Sequence, residues 1–186
     1  IEPLVRGYKS LIEASQGFAG LPQSMNWKDH DFALQNIQAR VRSPSIWFVA
    51  NLRKALLLCT SNRSEASVGY STMDGDTSGG ISPIAGIDKS FLRKWLRWME
   101  SVGPEGIGAY PFLRAVNVLE PTAELKPAEF DQLDEKDLMP YDLLQEIESL
   151  FLLERLSPEE VLAEVLQRRH FHDHLKIREA VERFFT

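Results

Sequence analysis

Apolar residues recur at Ile1, Leu4, Val5, Tyr8, Leu11 and Ile12. That is the spacing of one helix face, and it predicts a helix over Ile1–Gln16. Gly17–Ser24 breaks the pattern with glycine and proline and reads as a loop. Phe32, Leu34, Ile37, Val41, Ile46, Trp47 and Val49 form a second helical run, which Asp29 or Asp31 can cap. Pro44 lies inside that run and predicts a kink or a restart, because proline lacks the backbone donor and crowds the preceding turn. Ala55–Cys59 differs: short, almost wholly apolar and polar at its end, it predicts a strand buried on both faces, as in a parallel sheet.

A weaker second strand candidate is Ile81–Ile84. Asp88 then caps a helix through Met99, with Phe91, Leu92, Trp95, Leu96 and Met99 inward and Arg93, Lys94 and Arg97 outward. Gly103–Gly108 reads as a loop and Pro111–Leu119 as a short helix. Glu120–Lys136, charged and with little periodicity, reads as a linker or a mobile loop over a site. Tyr141–Phe185 reads as helical, with Ser157 as a cap and Pro158 as the first helical residue. A single strong strand cannot make a sheet, so the chain looks like part of a fold.

The 186 residues suffice for one domain with a substantial core. With 21 basic and 27 acidic residues, the net charge of −6 argues against nucleic-acid binding. The one cysteine, Cys59, excludes a disulfide framework and points to a reducing compartment; inside an apolar run it reads as a core residue. No apolar stretch is long enough to span a bilayer, and acidic residues in Ile1–Ser15 argue against a signal peptide. The expectation is a soluble, cytoplasmic protein with no membrane or nucleic-acid partner.

Candidate chemistry concentrates between Leu56 and Lys89, where an apolar run ends in small polar residues and leads to a glycine-rich loop and a basic helix. That is the layout of a nucleotide site at the C-terminal edge of a parallel sheet. Thr60 can offer a hydroxyl to a nucleotide, and Glu65 a hard oxygen to Mg²⁺. Asn62-x-x-Glu65 is equally a capping box, the reading favoured on spacing alone. Asp74–Gly80 begins like a calcium loop, but Ala85 stands where an EF-hand needs glutamate. Ser78-Gly79-Gly80 begins like the SGGxDS phosphate loop but continues Ile81-Ser82, leaving a loop for close backbone approach or a plain turn. Lys89 sits in a first helical turn, where it either reaches solvent or neutralises an anion. Arg40 and Arg42 suit a carboxylate or phosphate, a solvated face or a partner chain. His170, His172 and His174 do not resemble a closed zinc site.

LQNIQARVR (34–42), TSNRSEASVGYSTMDGDTSGGISPIAGIDK (60–89), EPTAEL (120–125) and DEKDLMPY (134–141) occur in order. Together they resemble glutamine-dependent NAD⁺ synthetase over essentially the whole chain. The resemblance implies an α/β, Rossmann-like adenine-nucleotide alpha-hydrolase (N-type ATP pyrophosphatase) fold, partial and helix-rich in this chain. Residues 1–131 would be its α/β core portion and 132–186 a C-terminal helical portion. It implies ATP-dependent amidation of deamido-NAD through an acyl-adenylate, with ATP as co-substrate, Mg²⁺ as cofactor and ammonia drawn from glutamine.

Carried over residue by residue, the resemblance gives Thr60, Lys89 and Thr122 to ATP. It gives Asn36, Arg40, Glu65, Tyr70, Ser71, Thr72 and Met73 to deamido-NAD, and Glu65 also to the metal. Met73 and Gly80 stand where ammonia-dependent members carry a lysine and an aspartate, which favours the glutamine-dependent branch. The SGGxDS loop, the glutaminase domain and the basic C-terminal stretch are not found, so the chain reads as an excerpt that makes no product alone. A homo-oligomer through the 33–54 helix is implied, since its apolar face with Trp47 and Phe48 is wider than a lone surface helix needs. The alternatives are a GMP synthetase-like amidotransferase and a non-catalytic helical interaction module.

Overall fold

The computed structural model describes residues 1–15, 20–22, 24–127, 130, 132–169 and 173–186. The chain forms two compact units. The first comprises Ile1–Ser61, Ser71–Pro83 and Glu124–Phe130; the second comprises Asn62–Tyr70, Ile84–Ala123 and Asp131–Thr186.

In the first unit, helix α1 spans Glu2–Glu13, α2 Asp31–Arg40 and α3 Arg42–Arg53. The expected restart falls at Val41, three residues before Pro44. That puts the proline in the first turn of α3, where helix donors have no intrahelical acceptor and its missing N–H costs nothing. Lys54 ends α3 in the left-handed region, φ 51°.

The strand expected at Ala55–Cys59 is reduced to one parallel bridge, Leu58 with Ile81, flanked by Cys59 N–H to Ile81 O (2.8 Å) and Gly80 N–H to Leu57 O (2.8 Å). The pairing partner was the weaker strand candidate, but burial on both faces does not hold. Cys59 is buried, whereas Leu56 is 63% and Leu58 52% exposed. An apolar run states a demand for cover, and the described residues meet it only at Cys59.

The second unit is helical. It contains α4 (Arg63–Ser67), α5 (Lys89–Ser101), a 3₁₀ turn (Pro111–Leu113), α6 (Arg114–Asn117), α7 (Asp134–Asp137), α8 (Tyr141–Glu148), α9 (Pro158–Arg168) and α10 (His174–Phe185). A π-helical turn, Ser149–Leu153, extends α8. The core lies among α8, α9 and α10, where Leu144, Ile147, Leu150, Val161 and Val165 are wholly buried and Ile177, Val181 and Phe184 close it. Helix α9 starts as the sequence predicts, with Ser157 Oγ accepting from Glu160 N–H and Pro158 opening the helix; the structure adds the Glu160 carboxylate, which accepts from Ser157 N–H.

Helix α5 departs from its expected faces. Phe91 and Trp95 are exposed, with Leu92, Leu96 and Met99 half-buried. Arg93 is not a solvated outer residue, because it reaches Glu120 (3.1 Å) and Glu135 (3.5 Å). The Gly103–Gly108 loop requires its glycine at 103, with φ at +71° and no room for a Cβ against Gly108 O.

Candidate functional site

Two groups of candidate residues form, one in each unit. In the first unit, Arg40 at the end of α2 donates from Nε to Met73 O at 3.1 Å. The 71–76 turn lies close against the same helix; a Cβ on Gly75 would meet the Ala39 Cβ at 3.0 Å. Thr72 N–H donates to Asp76 Oδ1 at 2.7 Å, and Asp74 takes a left-handed φ of 63° to complete the turn. Arg40, Ser71, Thr72 and Met73, distant in sequence, therefore share one locality, with the Met73 side chain 70% exposed. Asn36, one turn before Arg40, bonds back to Phe32 O at 2.9 Å.

Thr60 lies exposed directly after the bridge residues. Asp76 fastens this end to the 72–76 turn: its carbonyl accepts from Cys59 Sγ at 3.3 Å and its carboxylate from Ser61 Oγ at 3.5 Å. The Ser78-Gly79-Gly80 segment approaches its own chain rather than an open space, since a Cβ on Gly79 would stand 2.6 Å from Cys59 N. Ser78 Oγ meets Ser43 Oγ at 2.7 Å and accepts from Trp47 Nε1 at 2.8 Å. Arg42, the second arginine noted in the sequence, donates to Glu124 O at 2.7 Å.

In the second unit Glu65 takes the capping-box reading and gains a lysine partner. Asn62 Oδ1 accepts from Glu65 N–H (3.1 Å) and Glu65 Oε2 accepts from Asn62 N–H (3.1 Å), which completes the capping box on α4. Glu65 Oε1 meanwhile accepts from Lys89 Nζ at 2.8 Å. Lys89 thus finds a carboxylate that offsets its unfavourable place in the first turn of α5. Its ammonium also stands 6.0 Å from the Tyr141 ring centre. Two of the free N–H groups at this helix start are taken up locally: Lys89 N–H by Ser64 Oγ (3.1 Å) and Phe91 N–H by Asp88 Oδ1 (2.7 Å).

Around this pair lies a network that the sequence reading missed. Glu148, wholly buried in α8, accepts from Arg63 Nε at 3.0 Å and from Ser67 Oγ at 2.9 Å. Arg63 also reaches Asp88 Oδ2 (3.4 Å) and Gly86 O (3.3 Å). A glutamate four residues after Leu144, among apolar neighbours, was a sign of an acid requiring a buried partner. Below Tyr141, the phenol donates to buried Asp134 Oδ2 at 2.7 Å, and Tyr70 donates to Asp137 Oδ2 at 3.0 Å. Burial, then the hydrogen bond to Asp134 and its charge, pushes the Tyr141 phenol up; burial, then the charge of Asp134, does the same to Tyr70. Both stay protonated donors across the neutral range.

Thr122 lies exposed in the same unit, on a segment held from two directions. Pro121 O accepts from Asp134 N–H at 3.1 Å, and Glu120 shares Arg93 with Glu135. Glu120–Pro121 is thus anchored rather than loose. A groove of about 470 Å³ in this unit, over Leu138, Met139, Leu143 and Ile177, holds none of the candidate residues.

Both Glu65 oxygens already hold donors, and no group of three His, Cys, Asp or Glu side chains that could hold a metal occurs among the described residues. As they lie, these residues do not make a magnesium seat by themselves. His174 is exposed at the start of α10; His170 and His172 lie outside the described residues.

The solved glutamine-dependent NAD⁺ synthetase of Cytophaga hutchinsonii superposes with a TM-score of 0.73 at 39% identity, covering 98% of this chain and 26% of that one. The NMN synthetase of Francisella tularensis, at 20% identity and a TM-score of 0.56, shares the fold. Among curated proteins, the glutamine-dependent NAD⁺ synthetase of Aquifex aeolicus is 38% identical over 74% of this chain, and that of Thermotoga maritima 33% over 91%. The chain spans about a quarter of their length, 23% and 27%. The NAD synthase family model matches residues 2–182, and the chain belongs to that family.

Proposed function

We propose that this chain is the synthetase portion of a glutamine-dependent NAD⁺ synthetase, which amidates deamido-NAD with ATP through an acyl-adenylate and takes its ammonia from glutamine. The Leu58–Ile81 pairing would belong to the parallel sheet of a Rossmann-like, N-type ATP-pyrophosphatase fold. The observation that carries the reading is Lys89, held 2.8 Å from Glu65 at the start of a helix in a chain of this family.

A carboxylate is a poor acyl donor, and adenylation gives it a leaving group. Lys89 would move from Glu65 to the ATP phosphates and offset the charge that builds there. Thr60 and Thr122, both exposed residues, would complete the nucleotide contacts. Arg40, Asn36 and the Ser71–Met73 turn would bind deamido-NAD, together with Glu65 and Tyr70. Glu65 would hold magnesium only after Lys89 has left it. The α3 face would be covered in a homo-oligomer, and the reaction is one of the cytoplasm.

The test is Lys89→Met in the intact parent protein, with amide formation and ATP-dependent pyrophosphate release measured together. The expected loss in kcat/KM is about 10²-fold. Turnover at the wild-type level would overturn the reading. The chain by itself should make no amide.

A further inference from the structure

The Lys89–Glu65 pair is set in place by groups that touch neither residue's charged end. Helix α4 carries Glu65, the start of α5 carries Lys89, and α8 packs beside them with Glu148 at 0% exposure. A carboxylate taken fully out of water is retained only against a charge and further donors. Here it receives Arg63 Nε at 3.0 Å and Ser67 Oγ at 2.9 Å, one from each end of α4. The other face of the Arg63 guanidinium reaches Asp88 Oδ2 at 3.4 Å, and Nη1 reaches Gly86 O at 3.3 Å. Arg63 N–H also donates to Ile87 O at 2.9 Å. Asp88 is the N-cap of α5, immediately before Lys89. A single arginine thus clamps the start of one helix to the start of the other, and one buried carboxylate orients that arginine.

We propose that Glu148 and Arg63 are positioning residues for the Lys89–Glu65 pair, holding the Lys89 ammonium where it exchanges Glu65 for a phosphate oxygen of the bound nucleotide. This rests on the function proposed above. The guanidinium plane matters as well as its charge: Nε serves Glu148 while Nη2 serves Asp88, and an ammonium cannot span both. The arrangement therefore predicts that lysine does not replace Arg63.

The experiment uses the intact parent protein with Glu148→Gln, Arg63→Lys, Lys89→Met and the core variant Val161→Ala. ATP dependence is measured well below each melting temperature. Glu148→Gln keeps the shape but removes the charge and turns one of the two acceptor oxygens into an amide donor. It should raise the KM for ATP about tenfold with a smaller change in kcat, since a misplaced contact weakens binding before it alters chemistry. Arg63→Lys should do the same. Val161→Ala should lower the melting temperature by a similar amount and leave the KM unchanged.

If Glu148→Gln and Val161→Ala alter only melting temperature, the inference is overturned and the network is structural. If Lys89→Met leaves kcat/KM for ATP unchanged, the function reading fails instead. A second readout separates the two without turnover. The Lys89 Nζ signal, read by NMR after reductive ¹³C-methylation and assigned with Lys89→Arg, should shift in Glu148→Gln. An unmoved signal would overturn the positioning role whatever the reaction.

Discussion

The two units treat the same kind of sequence pattern in opposite ways. In the second, α8, α9 and α10 turn their apolar faces on one another, and Leu144, Ile147, Leu150, Val161 and Val165 disappear from solvent. In the first, α3 also carries a run of apolar residues, yet Phe48 is 64% and Leu52 69% exposed, with Phe32 on α2 at 82%. A periodic apolar stripe states that a helix wants cover. It does not state whether the cover comes from its own chain.

That contrast can be broken most forcefully at Glu148. Glu148→Ala takes the wholly buried acid from Arg63, which keeps 24% of its side-chain exposure and its longer bond to Asp88, and urea unfolding should show a loss of about 2–3 kcal/mol; a loss under 1 kcal/mol would mean that water and Asp88 already satisfy the arginine. Next comes Gly79→Ala in the first unit. Its new methyl would stand 2.6 Å from Cys59 N, and forcing the two segments apart should cost about 1–3 kcal/mol. Faster hydrogen exchange at the Cys59 and Gly80 amides checks where the strain falls.

Ser157→Ala removes the cap of α9 and should cost about 1 kcal/mol. The same cap carries a pH signature. Its backbone and hydroxyl donors hold the Glu160 carboxyl below its ordinary 4.5. A carboxyl held down in the folded state stabilises above its unfolded pKa, and loses that contribution as pH falls below 4.5 through the folded value. Melting curves from neutral to acid should fall less steeply in Glu160→Gln. The smallest effect belongs to Phe48→Ser, within about 0.5 kcal/mol for the chain by itself because the ring is already in water. A large loss there would show that the chain covers this face.

The features that could be read from sequence are those whose partners are near in sequence. The capping boxes at Asn62 and Ser157 and the Asp88 cap each join residues three apart. The Pro44 restart needed only helix geometry. The partner of Glu148 was invisible because Arg63 is 85 positions away, and an acid on an apolar face does not say which base it meets. Arg93 was placed outward for the same reason, its acids arriving from Glu120 and Glu135. In the candidate site, Glu65 and Lys89 came from the family blocks, and their mutual contact came only from the fold. Ala55–Cys59 failed in the opposite direction: composition announced burial that one bridge cannot supply.

Cys59 is the only cysteine of the chain, and it sits 5% exposed with its thiol turned to Asp76 O and Gly79 against its backbone. A thiol reagent can reach it only when those neighbours part. The rate of its alkylation is therefore a built-in clock for the opening of the segment that carries Thr60, readable in the unmodified protein without any engineered label.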